Sequence, residues 1–278
     1  MSEIWEAYVK DLGDRPAGVT MGYTGKAVLQ HFGAHTPANI DKDLCLAYRA
    51  TRLEQGKSDG TVHTELGHLR MALSWAVKTK VIEEAPAIWR PAKPETDKRI
   101  LDKVEMRALV EATRAPHTRL AVILLLGTAA RVGAILDLTW DRIDFEAGSI
   151  NLRLPDSRTR KGRAIVPMSG MTRAALSSAK EAALTDYVIE HGAKPVKKVR
   201  KGILAAVERA KLGHVRIHDL RHTAAVTMLS EGVPLEMVSQ CLGHSNTAIT
   251  FKTYARYLPQ HMQQAVDVLD FMDIRTAS

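Results

Sequence analysis

The sequence predicts a mainly α-helical protein with a small antiparallel β-sheet, divided into two domains. Long stretches carry apolar residues at helical spacing, and two short segments alternate between polar and apolar residues as strands do. A segment with two prolines shows neither pattern. We therefore expect a helical domain over residues 1–90, a linker over residues 91–99 and a second domain over residues 100–278. A chain of 278 residues is long enough for two cores.

Charge and cysteine usage limit the possible partners. The net charge of +8 favours a polyanionic partner, most simply nucleic acid, while a merely basic enzyme remains the alternative. Cys45 and Cys241 are far apart, which predicts neither a disulfide framework nor a zinc finger and fits a reducing cytoplasm. No run reaches about 18 apolar residues, and the start lacks the pattern of a secretion signal. We expect a cytoplasmic protein with no membrane span.

The clearest helix of the first domain is expected over Thr61–Lys78. Its apolar residues recur every three or four positions and predict a buried face. They are Val62, Leu66, Leu69, Leu73 and Ala76. The other face carries His63 and Arg70, for which solvation and contact with DNA are both open interpretations.

The second domain is expected to begin with two helices. Asp102 and Glu105 have the spacing of a capping box at the start of the first. The next is predicted over His117–Leu126. The stretch Gly127–Arg131 then breaks the periodicity, and Val132–Leu138 predicts another short helix.

Two strands are expected to follow and to form a basic β-hairpin. Ser149–Arg153 alternates in polarity, and Ala164–Pro167 is apolar and β-branched. The turn between them carries four cationic side chains, at Arg158, Arg160, Lys161 and Arg163. Helices are predicted again over Gly170–Ala183, over Val196–Ala210 and from Asp219 onwards.

The residues that carry chemistry lie between positions 217 and 254. A His-x-x-Arg pair, His218 and Arg221, is followed by a Leu-Gly-His that ends at His244 and by Tyr254. A guanidinium can bind two phosphate oxygens at once in a bidentate contact. A histidine can transfer a phenolic proton near neutral pH. The phenol can then attack a phosphodiester as a covalent nucleophile. Tyr257, one helical turn later, is the competing nucleophile.

A metal site is the alternative use of these histidines. His214, His218 and His222 are spaced by four and can line one helix face as ligands. His214 is expected to precede the helix, however, and no carboxylate or cysteine motif completes the set. We expect neither a metal nor another cofactor.

Five segments, in this order, resemble the tyrosine recombinase or phage integrase family. They are Gly127–Phe145, Arg160–Met168, His218–Ala225, Leu242–Thr250 and Tyr254. The resemblance is strong over about residues 100–270, and the helical start is more loosely similar to the family's core-binding domain. It implies a helical core-binding (SAM-like) domain followed by an integrase-type catalytic domain with a C-terminal tail helix.

The resemblance implies a role for each member of this set. Arg131 and Arg221 would hold the scissile phosphate and offset the charge of the pentavalent transition state. His244 would donate to a phosphate oxygen. Where many relatives have an acid three residues after the first arginine, this chain has Ala134, which puts the orientation of Arg131 in doubt.

Three other residues would carry out the covalent chemistry and the proton transfer. Tyr254 would form a 3′-phosphotyrosyl bond and free a 5′-hydroxyl. His218 would act as a general base or phosphate donor, and Lys161 would protonate the leaving 5′-oxygen. Arg158, Arg160 and Arg163 would contact DNA, as would Arg70 and His63 of the first domain.

The function implied is site-specific DNA recombination through a Holliday junction, without ATP or metal. Its partner would be double-stranded DNA, on which a homotetramer forms from a free monomer or weak oligomer encoded by a bacterium or phage. Two other functions stay open: a non-catalytic DNA-binding protein on a degenerate scaffold, and nicking and closing of the type IB topoisomerase kind. The tail, Pro259–Phe271, is amphipathic and would dock on its own or a neighbouring protomer.

Overall fold

The computed structural model describes residues 1–94, 97–153 and 164–257 and has two compact units, Met1–Thr96 and Asp97–Ser278. Both units are built mainly from helices, and the second also contains a three-stranded antiparallel sheet. The predicted fold class is thereby confirmed. None of the helices in the described ranges is long and apolar enough to span a bilayer.

The first unit is a helical bundle in which the last helix contacts the other three. Its helices are α1 (Ser2–Leu12), α2 (Pro16–Phe32), α3 (Lys42–Glu54) and α4 (Asp59–Lys78). Helix α4 begins where the Ser58 side chain accepts a hydrogen bond from the backbone N–H of Thr61. All five apolar positions predicted for its inner face are fully buried, which confirms the predicted periodicity.

One carboxylate is buried at the edge of this apolar face. Glu65 accepts a hydrogen bond of 2.8 Å from Tyr48 Oη and a two-pronged contact from Arg52, at 2.6 Å from Nη2 and 3.0 Å from Nε. The side chains of Arg52 and Glu65 are only 12% and 9% exposed. Burial, together with the Glu65 carboxylate, raises the pKa of Tyr48, so the phenol keeps its proton and continues to donate.

Replacing Glu65 with alanine is expected to destabilise the protein by about 3–5 kcal/mol, because Arg52 would stay buried without its carboxylate. Chemical denaturation of the full chain measures the change. The matched control is Asp59→Ala, which breaks the pair with Arg49 where both side chains are about a third exposed. Water solvates those partners, so we expect a much smaller effect. Equal losses in the two variants would contradict a stabilising role for the buried pair.

The second unit is organised around one buried helix. Its helices are α5 (Lys103–Ala112), α6 (Pro116–Thr128), α7 (Val132–Leu136), α8 (Gly170–Glu181), α9 (Arg200–Arg209), α10 (Ile217–Ser230), α11 (Leu235–Cys241) and α12 (Thr247–Tyr254). Helix α6 contacts α5, α7, α8, α9 and α10, which explains why the run Leu120–Leu126 is apolar on every side. The predicted capping box of Asp102 and Glu105 is confirmed at the start of α5.

The sheet has the order β1-β2-β3, with β1 (Ile143–Asp144), β2 (Ser149–Asn151) and β3 (Ile165–Pro167) all antiparallel. Ile150 of β2 pairs with Ile143 on one side and Val166 on the other, and all three side chains are buried in the core. The sequence predicted β2 and β3 but missed β1, because two residues are too few to show an alternating pattern.

Helix α9 begins four residues later than predicted. The sequence placed its start at Val196, but the backbone N–H of Val196 donates instead to the carbonyl of Ile189 at 2.9 Å. Pro195 forms an isolated bridge with Glu190. This loop pairing keeps residues 195–199 out of the helix.

Two predicted features fall outside the described residues. One is the basic turn between β2 and β3, with Arg158, Arg160, Lys161 and Arg163. The other is the tail helix over Pro259–Phe271.

The first residues of the second unit are hydrogen-bonded to two of its helices. Lys98 Nζ donates to the backbone carbonyl of Thr253 on α12 at 3.0 Å. The backbone N–H of Leu101 donates to Thr223 Oγ1 on α10 at 3.1 Å. The chain entering this unit is thus bonded directly to the helices that bear most of the candidate site.

Candidate active site

Five of the predicted side chains lie together in the second unit. Arg131 precedes α7, His218 and Arg221 lie on α10, His244 follows α11 and Tyr254 ends α12. Besides burial, the positive charge of Arg131 acts on the pKa of each of the other four. Segments distant in sequence are therefore within electrostatic reach of one another.

Arg131 is positioned by the end of α6. The sequence predicted a break over Gly127–Arg131, and the structure continues α6 to Thr128 before Ala129 turns the chain with a φ of 52°. Arg131 then caps α7 in an extended conformation. Its Nη1 is buried and has no hydrogen-bond partner in the described part of the chain. A buried donor left in this way is costly, and an anion would satisfy it.

Arg221 is buried and fixed by three hydrogen bonds. Nη1 donates to the carbonyl of Ala129 at 2.8 Å, and Nη2 donates to the carbonyl of Leu242 at 2.8 Å and to His244 Nε2 at 3.2 Å. A guanidinium has five N–H groups, so two remain for a ligand. Burial first, and Arg131 next, lowers the pKa of Arg221 to about 10, which leaves it cationic at neutral pH.

His244 follows a tight turn, and each of its ring nitrogens makes a hydrogen bond. Gly243 has a φ of 61°, a left-handed conformation that suits glycine. Because Arg221 can only donate, Nε2 of His244 accepts, and Nδ1 donates to Thr250 Oγ1 at 2.7 Å. Burial, then the charges of Arg221 and Arg131, lowers the pKa of His244 to about 4, so the ring is neutral at pH 7.

Tyr254 is a buried, protonated phenol. The residue is 1% exposed, and its Oη lies 2.7 Å from Nδ1 of His222. Burial raises the pKa of Tyr254 to about 12 against the opposing charges of Arg221 and Arg131. The phenol therefore donates and His222 accepts. Tyr257, the alternative nucleophile, lies in the short 3₁₀ turn after α12 and is partly exposed.

His222 is the site residue that the sequence interpretation missed. It was considered only as a metal ligand, because its spacing from His218 was visible and its contact with Tyr254, 32 residues away, was not. The rings of His218 and His222 meet edge to face, with centroids 4.7 Å apart. Their i, i+4 spacing was the one available signal that the two side chains are neighbours.

His218 faces outwards from this cluster. It is exposed, whereas Arg221 one turn later is 3% exposed. Partial burial and the positive charges of Arg221 and Arg131 lower the pKa of His218 below its ordinary value. An incoming anion can therefore reach a neutral imidazole here.

The metal alternative gains no support from this geometry. Across residues 1–94, 97–153 and 164–257, no three His, Cys, Asp or Glu side chains are grouped so that they could hold an ion. His222 is instead engaged by Tyr254, and His214 precedes α10.

Asp219 does not replace the acid that many relatives carry at the position of Ala134, because it has another partner. Its carboxylate accepts from the backbone N–H and the guanidinium of Arg216, at 2.9 Å to each, and so caps α10. Asp144 accepts from the backbone N–H of Ala147. Ala134 itself is buried in α7 against the core.

The residues suggested for DNA contact in the first unit lie along one concave surface. His63 and Arg70 line it with Lys78 and Arg90, around a cavity of about 620 Å³. His63 is held in place by a contact of 2.8 Å between Nδ1 and the carbonyl of Pro91.

Comparison with known proteins points to one family. The model of the phage integrase family matches residues 99–261. A tyrosine recombinase XerC-like protein of Caldanaerobacter subterraneus subsp. tengcongensis is 24% identical, and the match covers 78% of this chain and 67% of that protein. The Tn1549 transposon integrase, in complex with transposon right end DNA, has a TM-score of 0.80 at 15% identity, over 97% of this chain and 98% of the other. A lambda integrase tetramer bound to a Holliday junction has a TM-score of 0.72 at 17% identity, over 88% of this chain and 77% of the other. At these identities the structural likeness is one of fold.

Proposed function

Because the chain belongs to the phage integrase family, we propose that its clustered side chains cut and rejoin DNA through Tyr254. The chain is a tyrosine-type site-specific recombinase, an enzyme that breaks and rejoins DNA. The observation that carries the mechanism is the buried Nη1 of Arg131, a donor without a partner in the described residues and within electrostatic reach of the buried phenol of Tyr254.

The scissile phosphate is held by groups already in place. Arg131 offers its unpaired Nη1, and Arg221 offers the two N–H groups left after its bonds to two carbonyls and to His244. His218 faces outwards beside them. Donors fixed before the substrate arrives need no reorganisation when charge builds up on the pentavalent phosphorus, and this favours the transition state.

Cleavage exchanges one phosphate ester for another. Oη of Tyr254 attacks phosphorus, the bond to the 5′-oxygen breaks, and a 3′-phosphotyrosyl bond forms. The leaving oxygen takes a proton from Lys161, the proposed general acid. Because the ester bond is conserved, a 5′-hydroxyl from another strand can reverse the step without ATP.

The recombinase binds DNA and assembles on it. We assign duplex binding in part to the first unit, as a core-binding domain whose concave surface carries His63 and Arg70. Arg158, Arg160 and Arg163 would add contacts from the basic turn. Four protomers would hold two sites and exchange strands through a Holliday junction. Because phosphate contacts dominate, affinity should fall steeply with salt.

Lys161→Ala is expected to slow cleavage by about 10²–10⁴-fold while DNA affinity changes little, because a general acid contributes on this scale. Single-turnover cleavage and a binding titration measure the two effects. A substrate with sulfur at the leaving 5′ position needs no acid and should restore the rate. Lys201→Ala, at an exposed position of α9, is the control. Failure of the sulfur substrate to rescue would remove Lys161 from this role.

The proposed function is tested by covalent trapping. The protein is incubated with sheared DNA from its source and denatured, and the ends of protein-linked fragments are sequenced, with Tyr254→Phe in parallel. Adducts at one short inverted repeat that are absent from the variant support the proposal. Scattered adducts that depend on Tyr254 would indicate topoisomerase-like action, and DNA binding without any adduct would indicate a non-catalytic protein.

A further inference from the structure

The family resemblance allows His218 as a general base, but it is His222 that contacts the phenol of Tyr254. In the described residues, the phenolic Oη has one hydrogen-bond partner, Nδ1 of His222 at 2.7 Å. The phenol donates, so Nδ1 carries a lone pair and the ring proton of neutral His222 lies on Nε2. The contact joins the reacting oxygen to a side chain one position beyond Arg221.

The surroundings of His222 keep this lone pair available. Burial first, then His218 and the positive charges of Lys98 and Arg221, lowers the pKa of His222 to about 4, while the Asp219 carboxylate acts in the opposite direction. The imidazole is therefore neutral at pH 7. A phosphate bound at Arg131 and Arg221 adds negative charge nearby, which raises the proton affinity of the ring as the reaction begins.

We propose that His222 is the catalytic residue that accepts the proton of Tyr254. The proposal rests on the proposed function. As the bond from Oη to phosphorus forms, the O–H electron pair of the phenol supplies it and the proton moves to Nδ1. The bond from phosphorus to the 5′-oxygen breaks, and that oxygen leaves with its electron pair and is protonated by the general acid. His222 becomes an imidazolium and returns the proton to Oη when the strand is rejoined.

The structure places two neighbouring histidines, His218 and His222, in different surroundings. His218 is exposed and its ring meets that of His222 edge to face, whereas His222 bridges His218 and the phenol. His218 is thus placed to meet the phosphate, and His222 is placed on the side of the nucleophile. Both lie on α10 at i, i+4, so one helix presents the two functions together.

Two substitutions distinguish proton acceptance from simple positioning. His222→Asn places an amide oxygen close to the position of Nδ1, so it can accept the hydrogen bond but is not a base. His222→Ala removes both properties. For a proton acceptor we expect both variants to cleave about 10²–10⁴-fold more slowly than the wild type. A positioning residue would instead be rescued by asparagine.

The assay measures single-turnover formation of the covalent adduct on a nicked duplex that carries the sequence recovered by trapping. His214→Asn, at an exposed position before α10, is the matched control and should leave the rate unchanged. The acid side of the wild-type pH profile should also change in His222→Asn, because protonated His222 cannot accept and its titration is removed, which leaves that of His244. Wild-type rates in His222→Asn would overturn the role of His222 and leave the proposed function standing. Absence of the wild-type adduct would overturn both.

A second measurement tests the hydrogen bond without DNA. Labelling with 3-fluorotyrosine gives a ¹⁹F resonance for each of the six tyrosines, and Tyr254→Phe identifies that of Tyr254. His222→Ala should shift this resonance, while His214→Asn should not. The same spectra show whether the variants remain folded, since the other five resonances report on both units. An unshifted Tyr254 resonance in folded His222→Ala would refute the contact on which the proposal depends.

Discussion

Tyr254→Phe is expected to reduce the covalent DNA adduct to an undetectable level while leaving DNA affinity close to that of the wild type. The phenyl ring keeps its packing, and only the hydrogen bond to His222 is lost, which costs on the order of 1 kcal/mol of stability. Affinity is retained because phosphate contacts elsewhere dominate binding. Denaturing gels measure the adduct, and a titration on the same duplex measures affinity.

Tyr257→Phe is the matched control for this experiment. Tyr257 lies three residues later, outside α12 and partly exposed, so the same chemical change is made at the competing phenol while Tyr254 is kept. We expect its adduct yield to match the wild type. A reversal of the two results would identify Tyr257 as the nucleophile and would remove the basis for a role of His222.

Arg221→Lys is expected to lower the cleavage rate by about 10²–10⁴-fold although the positive charge is kept. The buried guanidinium binds two carbonyls and His244 at once, and a single ammonium cannot match that planar arrangement. Charge-assisted hydrogen bonds contribute about 1.5–3 kcal/mol each. Losing the two that Arg221 would donate to the phosphate in the transition state corresponds to this change in rate. Single-turnover cleavage is measured below the melting temperature of the variant.

Arg209→Lys controls for the general effect of this substitution. Arg209 is exposed at the end of α9, where Nε donates to the carbonyl of Ala112. Its replacement should change neither cleavage nor binding. Near wild-type cleavage by Arg221→Lys would show that a point charge suffices there and would contradict a role that depends on geometry.

Features determined by local sequence could be predicted. The spacing of apolar residues along α4 and the capping box of α5 were visible because each depends on residues three or four positions apart. Arg131, Arg221 and Tyr254 were predicted because the segments that carry them resemble those of one family and occur in its order. Their common location in one cluster then follows from the fold.

Features determined by distant contacts could not be predicted from the sequence. The partner of Tyr254 is 32 residues away, and nothing in the local pattern distinguishes His222 from a ring on an ordinary helix surface. Strand β1 is defined by its pairing with β2 rather than by its own two residues. The left-handed conformation of Ala129, which aims Arg131, occurs at a residue type that rarely adopts it.

The attachment of residues 97–101 has a mechanical consequence. A pull on the chain that enters the second unit is transmitted to the start of α10 by the bond from Arg216 to the carbonyl of Asp97, and to α12 by the bond from Lys98 to the carbonyl of Thr253, the residue before the nucleophile. The next bond along, from Leu101 to Thr223, transmits it to α10, two residues from Arg221. Tension in the connecting segment is thus borne by the helices that hold the nucleophile and a phosphate-binding arginine.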